Sequence, residues 1–161
     1  MNNTLANDAI VTCLSDFDKI SGIIEKDPIS PIVKYLTNYC IITSCGSLEF
    51  SFKTIIADYY ENISPKFHNY LDNKLRGSSC NPTYQNILST LKDFDPERQE
   101  RYKNLLKARS DYERIHKSLD SLNNNRNSIA HGINISTSFN DVHTFFKDSI
   151  IFIETLDIIM I

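Results

Sequence analysis

At 161 residues the chain is long enough to bury a core without disulfides or metals, and it reads as a single domain over residues 1–161. An apolar fraction of 41% beside 23% charged residues excludes a disordered or fibrous chain; four glycines and five prolines are too few for the turns of a sandwich or barrel, so an all-α fold is expected. A net charge of −3 excludes global attraction to nucleic acid, so any RNA-binding surface has to be a local patch or form when subunits combine.

The first apolar stripe falls at Leu5, Ala9, Ile10, Leu14, Phe17, Ile20, Ile23 and Ile24, one helix that Asp27-Pro28 ends. Ser30 as N-cap and Pro31 at the first helical position open a long second helix to about residue 60, and its small residues Ser44, Gly46 and Ser47 suit close helix packing. A shorter helix is expected over 65–75, closed by Gly77, and another over 82–94, with a loop over 77–81 between them. A further helical stretch runs from Pro96 towards Ala130, kinked near Ser110. Ser138 and Asp141 form a capping-box signature for a last helix that turns Val142, Phe145, Phe146, Ile150, Ile153 and Leu156 inward. The result is a bundle of about five helices.

Cys13, Cys40, Cys45 and Cys80 show neither a C-x-x-C pair nor Cys/His spacing for zinc, and no signal peptide is evident. They read as small buried apolar residues in a reducing cytoplasm, with no metal or cofactor expected. The apolar run over 150–161 is broken by Glu154 and Asp157 and is too short to cross a bilayer, so no membrane partner is expected.

The informative segment is 122–132, Leu-Asn-Asn-Asn-Arg-Asn-Ser-Ile-Ala-His-Gly. Three consecutive asparagines weaken a helix, which points to a task other than stability. Asn127 and His131 lie four apart on one face and Arg126 is adjacent, so all three can project towards one groove. A histidine can move a proton near neutral pH, and an arginine can hold a phosphate through its planar fork. Together they suit metal-free RNA cleavage, in which the ribose 2′-OH attacks its own 3′-phosphate; the lack of a carboxylate cluster fits a mechanism without Mg²⁺. A competing reading makes His131 a helix C-cap before Gly132 and nothing more.

The segment Arg126-Asn127-Ser128-Ile129-Ala130-His131-Gly132 resembles the R-x4-6-H motif of the HEPN superfamily, in the R-N-x-x-A-H-G form of its RiboL-PSP-type and related branches. It stands where that family places it, at the end of a penultimate helix and before a last amphipathic one. The resemblance implies catalytic positions for Arg126 and His131, with Asn127 matching the polar residue that commonly follows the arginine. It also implies a homodimer whose two protomers form one composite cleft, and a metal-independent endoribonuclease leaving a 2′,3′-cyclic phosphate. RNA is then the substrate of a cytoplasmic toxin or antiviral-defence effector, with an antitoxin or defence-system protein as a possible partner. A catalytically silent dimerisation or RNA-binding module, or a helical adaptor, are the alternatives.

Doubling Arg126 together with Arg98, Arg101, Lys103, Lys107, Arg109, Arg114 and Lys117 would make a cationic groove, but Glu97, Glu100, Asp111 and Glu113 interleave with them and favour solvated ion pairs. Glu49 could orient His131 or Arg126, or simply edge the core. His68, His116 and His143 read as surface or boundary residues, His143 beside a dimer surface. Tyr35, Tyr39, Tyr59, Tyr60 and Tyr70 could stack bases, although aromatics at helical spacing usually pack the core.

Overall fold

The computed structural model describes residues 1–161, the side chain of Pro65 excepted. Seven α-helices follow one another: α1 (Thr4–Ile24), α2 (Ile32–Ile63), α3 (His68–Leu71), α4 (Tyr84–Phe94), α5 (Pro96–Lys107), α6 (Tyr112–Ala130) and α7 (Phe139–Ile159). The all-α expectation holds, with more helices than the five expected.

One helix is added by a break, and the helix expected over 65–75 is irregular. The stretch from Pro96 breaks fully over 108–111: the Tyr112 amide bonds to the Arg109 carbonyl, and the Arg109 guanidinium folds onto the Asp111 carboxylate at 2.9 Å. The segment after α2 is irregular, a 3₁₀ turn at Pro65–Phe67, the single-turn α3, then a π turn at Asp72–Arg76. Arg76 fixes that π turn by bonding Asp72 within it and Asp58 and Glu61 on α2. Gly77 closes it, although with φ −79 it is not left-handed; a Cβ there would meet the Asp72 carbonyl at 2.9 Å.

α1 starts on Asn3, whose side chain accepts from the Ala6 amide, and buries Ala6, Ile10, Cys13, Phe17 and Ile20. That face packs along α2, whereas Leu5 and Ile23 of the expected stripe are exposed. The small residues of α2 permit the approach: Ser51 donates to the Ala6 carbonyl, and Ser44 lies 4.0 Å from the Cys13 sulfur. Gly46 is not part of this contact and faces open space. Ser30 offers α2 only its backbone carbonyl, to the Val33 amide; Pro31 occupies the cap position without a side-chain bond.

By length and composition α2 is apolar enough to cross a membrane, but 67% of its most apolar window is buried against other helices. It is the central helix of the bundle, touching α1, α6 and α7. Around it Phe17, Phe52, Phe146, Phe152 and Tyr102 are fully buried, each ring contributing about 2–3 kcal/mol by leaving water. The buried Tyr102 hydroxyl donates to the Phe152 carbonyl at 3.1 Å. α7 begins with the expected capping box of Ser138 and Asp141 and buries Val142, Phe146, Ile153 and Leu156, while Phe145 and Ile150 stay half-buried.

Candidate functional site

The end of α6 is a Schellman cap. The Gly132 amide bonds to the Ile129 carbonyl at 3.0 Å and the Ile133 amide to the Ser128 carbonyl at 2.8 Å, while Gly132 itself takes φ +70. That left-handed turn is where glycine is favoured, and it directs the chain away from the helix directly after His131. His131 is therefore the C-cap, and its imidazole stands exposed at the tip of α6. The capping role and an accessible imidazole coexist in one residue.

The asparagine run serves the packing of this tip. Asn123 is buried and donates to the Pro82 and Leu119 carbonyls. Asn125 accepts from the Thr137 hydroxyl at 3.1 Å, tying the loop after α6 to the helix. Asn127 accepts from the Asn81 amide at 3.0 Å, tying the loop before α4 to the same turn. What reads as a helix-weakening run is thus a set of three loop anchors, with only Asn124 facing solvent.

Arg126 is half-buried, and its guanidinium lies 3.4 Å from the Asn127 side-chain oxygen. Its charge reaches α2: burial pushes the Cys45 thiol up to about 12, and Arg126 is the largest influence pulling the other way. So Arg126 and Asn127 meet. His131 joins them only through its backbone amide, which bonds to the Asn127 carbonyl at 3.1 Å. Five residues along a helix amount to about 7.5 Å of backbone rise and about 140° of rotation, and among the described residues no hydrogen bond joins the guanidinium to the imidazole.

Two neighbours escaped the sequence reading. Lys34 of α2 reaches across to Asn134, three residues past His131, with its ammonium 2.6 Å from the amide oxygen. Asn81 holds Asn127 from the opposite side. Both contacts join segments far apart in the chain, and no local pattern announces them.

The remaining candidates have other partners. Glu49 orients neither Arg126 nor His131; it accepts from Lys53 at 2.5 Å and from the Cys80 amide at 2.9 Å, at the edge of the core. Four of the seven basic residues preceding the motif are in ion pairs, Arg98 with Asp95, Lys103 with Glu100, Arg109 with Asp111, and Arg114 with Asp111 and Asp148, whereas Arg101, Lys107 and Lys117 make none among the described residues. Arg114 also lies about 18 Å of helix from Arg126, and the ion-pair reading holds for these four side chains. Tyr59 lies under the Arg98 guanidinium and Tyr60 stacks on Phe94, whereas Tyr35, Tyr39 and Tyr70 are exposed. His143 stacks on Phe17 at 4.9 Å, and His68 sits between Glu61 and Asp72. His116 packs edge-on to Tyr84 with Asp120 at 3.1 Å. Cys13, Cys40 and Cys45 are buried and Cys80 is half-buried. Among the described residues no three His, Cys, Asp or Glu side chains converge as a metal-ligand set.

A helical bundle whose penultimate helix ends in R-N-x-x-A-H-G, followed by one long amphipathic helix, defines a HEPN-type architecture. The family model for RiboL-PSP-HEPN matches residues 7–161, and the chain belongs to that family. No curated protein and no solved structure matched the chain.

Proposed function

We propose that this protein is a metal-independent endoribonuclease that works as a homodimer, with Arg126, Asn127 and His131 as its chemical centre. The observation that carries the reading is an intact R-N-x-x-A-H-G sequence at an exposed, tightly capped helix end, within a chain that matches the family over 7–161. HEPN domains are often ribonucleases.

One Arg126 and one His131 supply little positive charge for a phosphate site on a protein of net charge −3, which favours a dimer. A two-fold pairing of α6 tips would set the guanidinium of each chain beside the imidazole of the other, and the doubled charge would make a local phosphate site on an acidic protein. In that cleft His131 takes the proton of the ribose 2′-OH as its oxygen attacks phosphorus. The bond from phosphorus to the 5′-oxygen breaks, and that oxygen takes a proton from His131 of the partner subunit. The products are a 2′,3′-cyclic phosphate and a 5′-hydroxyl. Arg126 holds the charge that develops on the phosphate oxygens, and Asn127 orients Arg126. Such an activity suits a cytoplasmic toxin or an effector of antiviral defence, restrained by an antitoxin or a defence-system partner.

The test is incubation of the purified protein with total RNA in EDTA beside the His131→Ala variant. Cleavage by the wild type alone supports the reading. RNA binding without cleavage would favour a silent dimerisation or RNA-binding module.

A further inference from the structure

Asn127 makes two side-chain contacts through one atom. Its Oδ1 accepts from Arg126 Nη1 at 3.4 Å and from Asn81 Nδ2 at 3.0 Å. An amide rotates easily about its last bond, and a single long contact from a flexible arginine would not fix which end faces the groove. The Asn81 contact adds a second donor to the same oxygen, which in this orientation lies between Asn81 and Arg126 and leaves the Asn127 –NH₂ as a donor.

The backbone around Asn81 is held on several sides. Pro82 restricts Asn81 to extended backbone and is buried. The Asn81 carbonyl accepts from Asn86 Nδ2 at 2.8 Å, and the carbonyl of Pro82 accepts from Asn123 of α6. On the other side of the loop, the buried Lys53 ammonium bonds to the Ser78 carbonyl and Glu49 accepts from the Cys80 amide. The loop over 77–83 is thus clamped between α2 and α6, and its one side-chain donor towards the motif is Asn81.

We propose that Asn81 is a positioning residue for the Arg126–Asn127 pair: it locks the Asn127 amide so that its oxygen holds the guanidinium and its –NH₂ faces the phosphate of a bound RNA. The proposal rests on the ribonuclease reading for the identity of the ligand, but the locking of Arg126 stands without it. Asn81 touches no reacting atom and acts through Asn127.

The experiment is a double-mutant cycle over Asn81→Ala, Asn127→Ala and the pair, with two readouts on dimeric, folded protein. The first is the order and ¹H–¹⁵N shift of the Arg126 Nε–H group by NMR, which needs no RNA. The second is kcat and KM on a single-site oligoribonucleotide. Each single variant is expected to loosen Arg126 and to lower kcat by about 10-fold, with little change in KM, as expected for the loss of one hydrogen bond felt in the transition state. The pair should be no worse than either single variant. Asn81→Asp keeps the size and backbone contacts of the loop but puts a carboxylate beside Asn127 Oδ1 and Arg126; it should draw the guanidinium away and lower kcat further. Additive losses in the pair, or an unchanged Arg126 signal in a folded Asn81→Ala protein, overturn the proposal. A wild type that cuts no RNA defeats the ribonuclease reading alone, because the Arg126 signal still decides the positioning role.

Discussion

His131 closes α6 and Gly132 releases the chain from it: one residue is the C-cap, and the next takes φ +70 with open space around its α-carbon. Because no neighbour would meet an added Cβ, Gly132→Ala costs only backbone strain, about 1 kcal/mol. Gly132→Asn, which tolerates the left-handed region better, should cost less. Thermal unfolding of the two variants measures the difference, and an alanine variant as stable as wild type would contradict the cap.

Arg126→Lys should damage cleavage although it keeps the charge, because an ammonium cannot reproduce a planar fork on a phosphate. Asn127→Ala should be milder, since its oxygen orients Arg126 without carrying charge. Single-turnover kinetics rank the two. Equal rates for Arg126→Lys and wild type would remove Arg126 from the site.

Lys53 is buried, with its ammonium on Glu49 and on the Ser78 carbonyl. Removing its charged partner by Glu49→Leu leaves that ammonium without a counter-charge, and a loss of about 2–3 kcal/mol is expected from urea unfolding. Glu49→Gln keeps an acceptor for both the Lys53 ammonium and the Cys80 amide and should lose less.

Much of this structure is written locally, and the parts that are not explain themselves. The stripes of α1 and α7, the capping box of Ser138 and the break at Gly132 follow from spacings of three or four residues and from single cap positions. The α5–α6 break was legible only as a kink, because residues 108–111 contain neither glycine nor proline and Arg109 and Asp111 make the turn with their side chains. The π turn at Asp72–Arg76 depends on carboxylates from α2, which no window along the chain contains. Arg126, Asn127 and His131 were legible as a short sequence. Asn81 and Lys34 were not, since they meet the tip of α6 across 46 and 100 residues. The asparagines misled for the same reason: their partners Pro82, Thr137 and Asn81 come from loops.

Burial against Phe17 holds the His143 imidazole below its ordinary value of 6.5, with the Lys147 charge acting in the same direction and Asp18 weakly against. The folded chain therefore binds this proton less tightly than the unfolded chain does, and unfolding takes up a proton below that value. The contribution of His143 to stability is complete above the ordinary histidine range and declines as pH falls through it towards the lowered folded value. Melting curves between pH 8 and pH 5, values chosen to bracket the histidine range, should show a decline on acidification that His143→Phe reduces. A His143→Phe protein with the same pH profile as wild type would contradict this.

The most direct measurement is the chemistry of the cut ends. The purified protein and its His131→Ala variant are each incubated with a defined oligoribonucleotide in excess EDTA, and the products are read by mass spectrometry. The account predicts a 2′,3′-cyclic phosphate and a 5′-hydroxyl from the wild type, with the rate reduced by about 10² or more in the variant at unchanged fold. Cleavage that requires added Mg²⁺, or a folded His131→Ala protein that cuts at the wild-type rate, would contradict it and leave His131 as a helix cap alone.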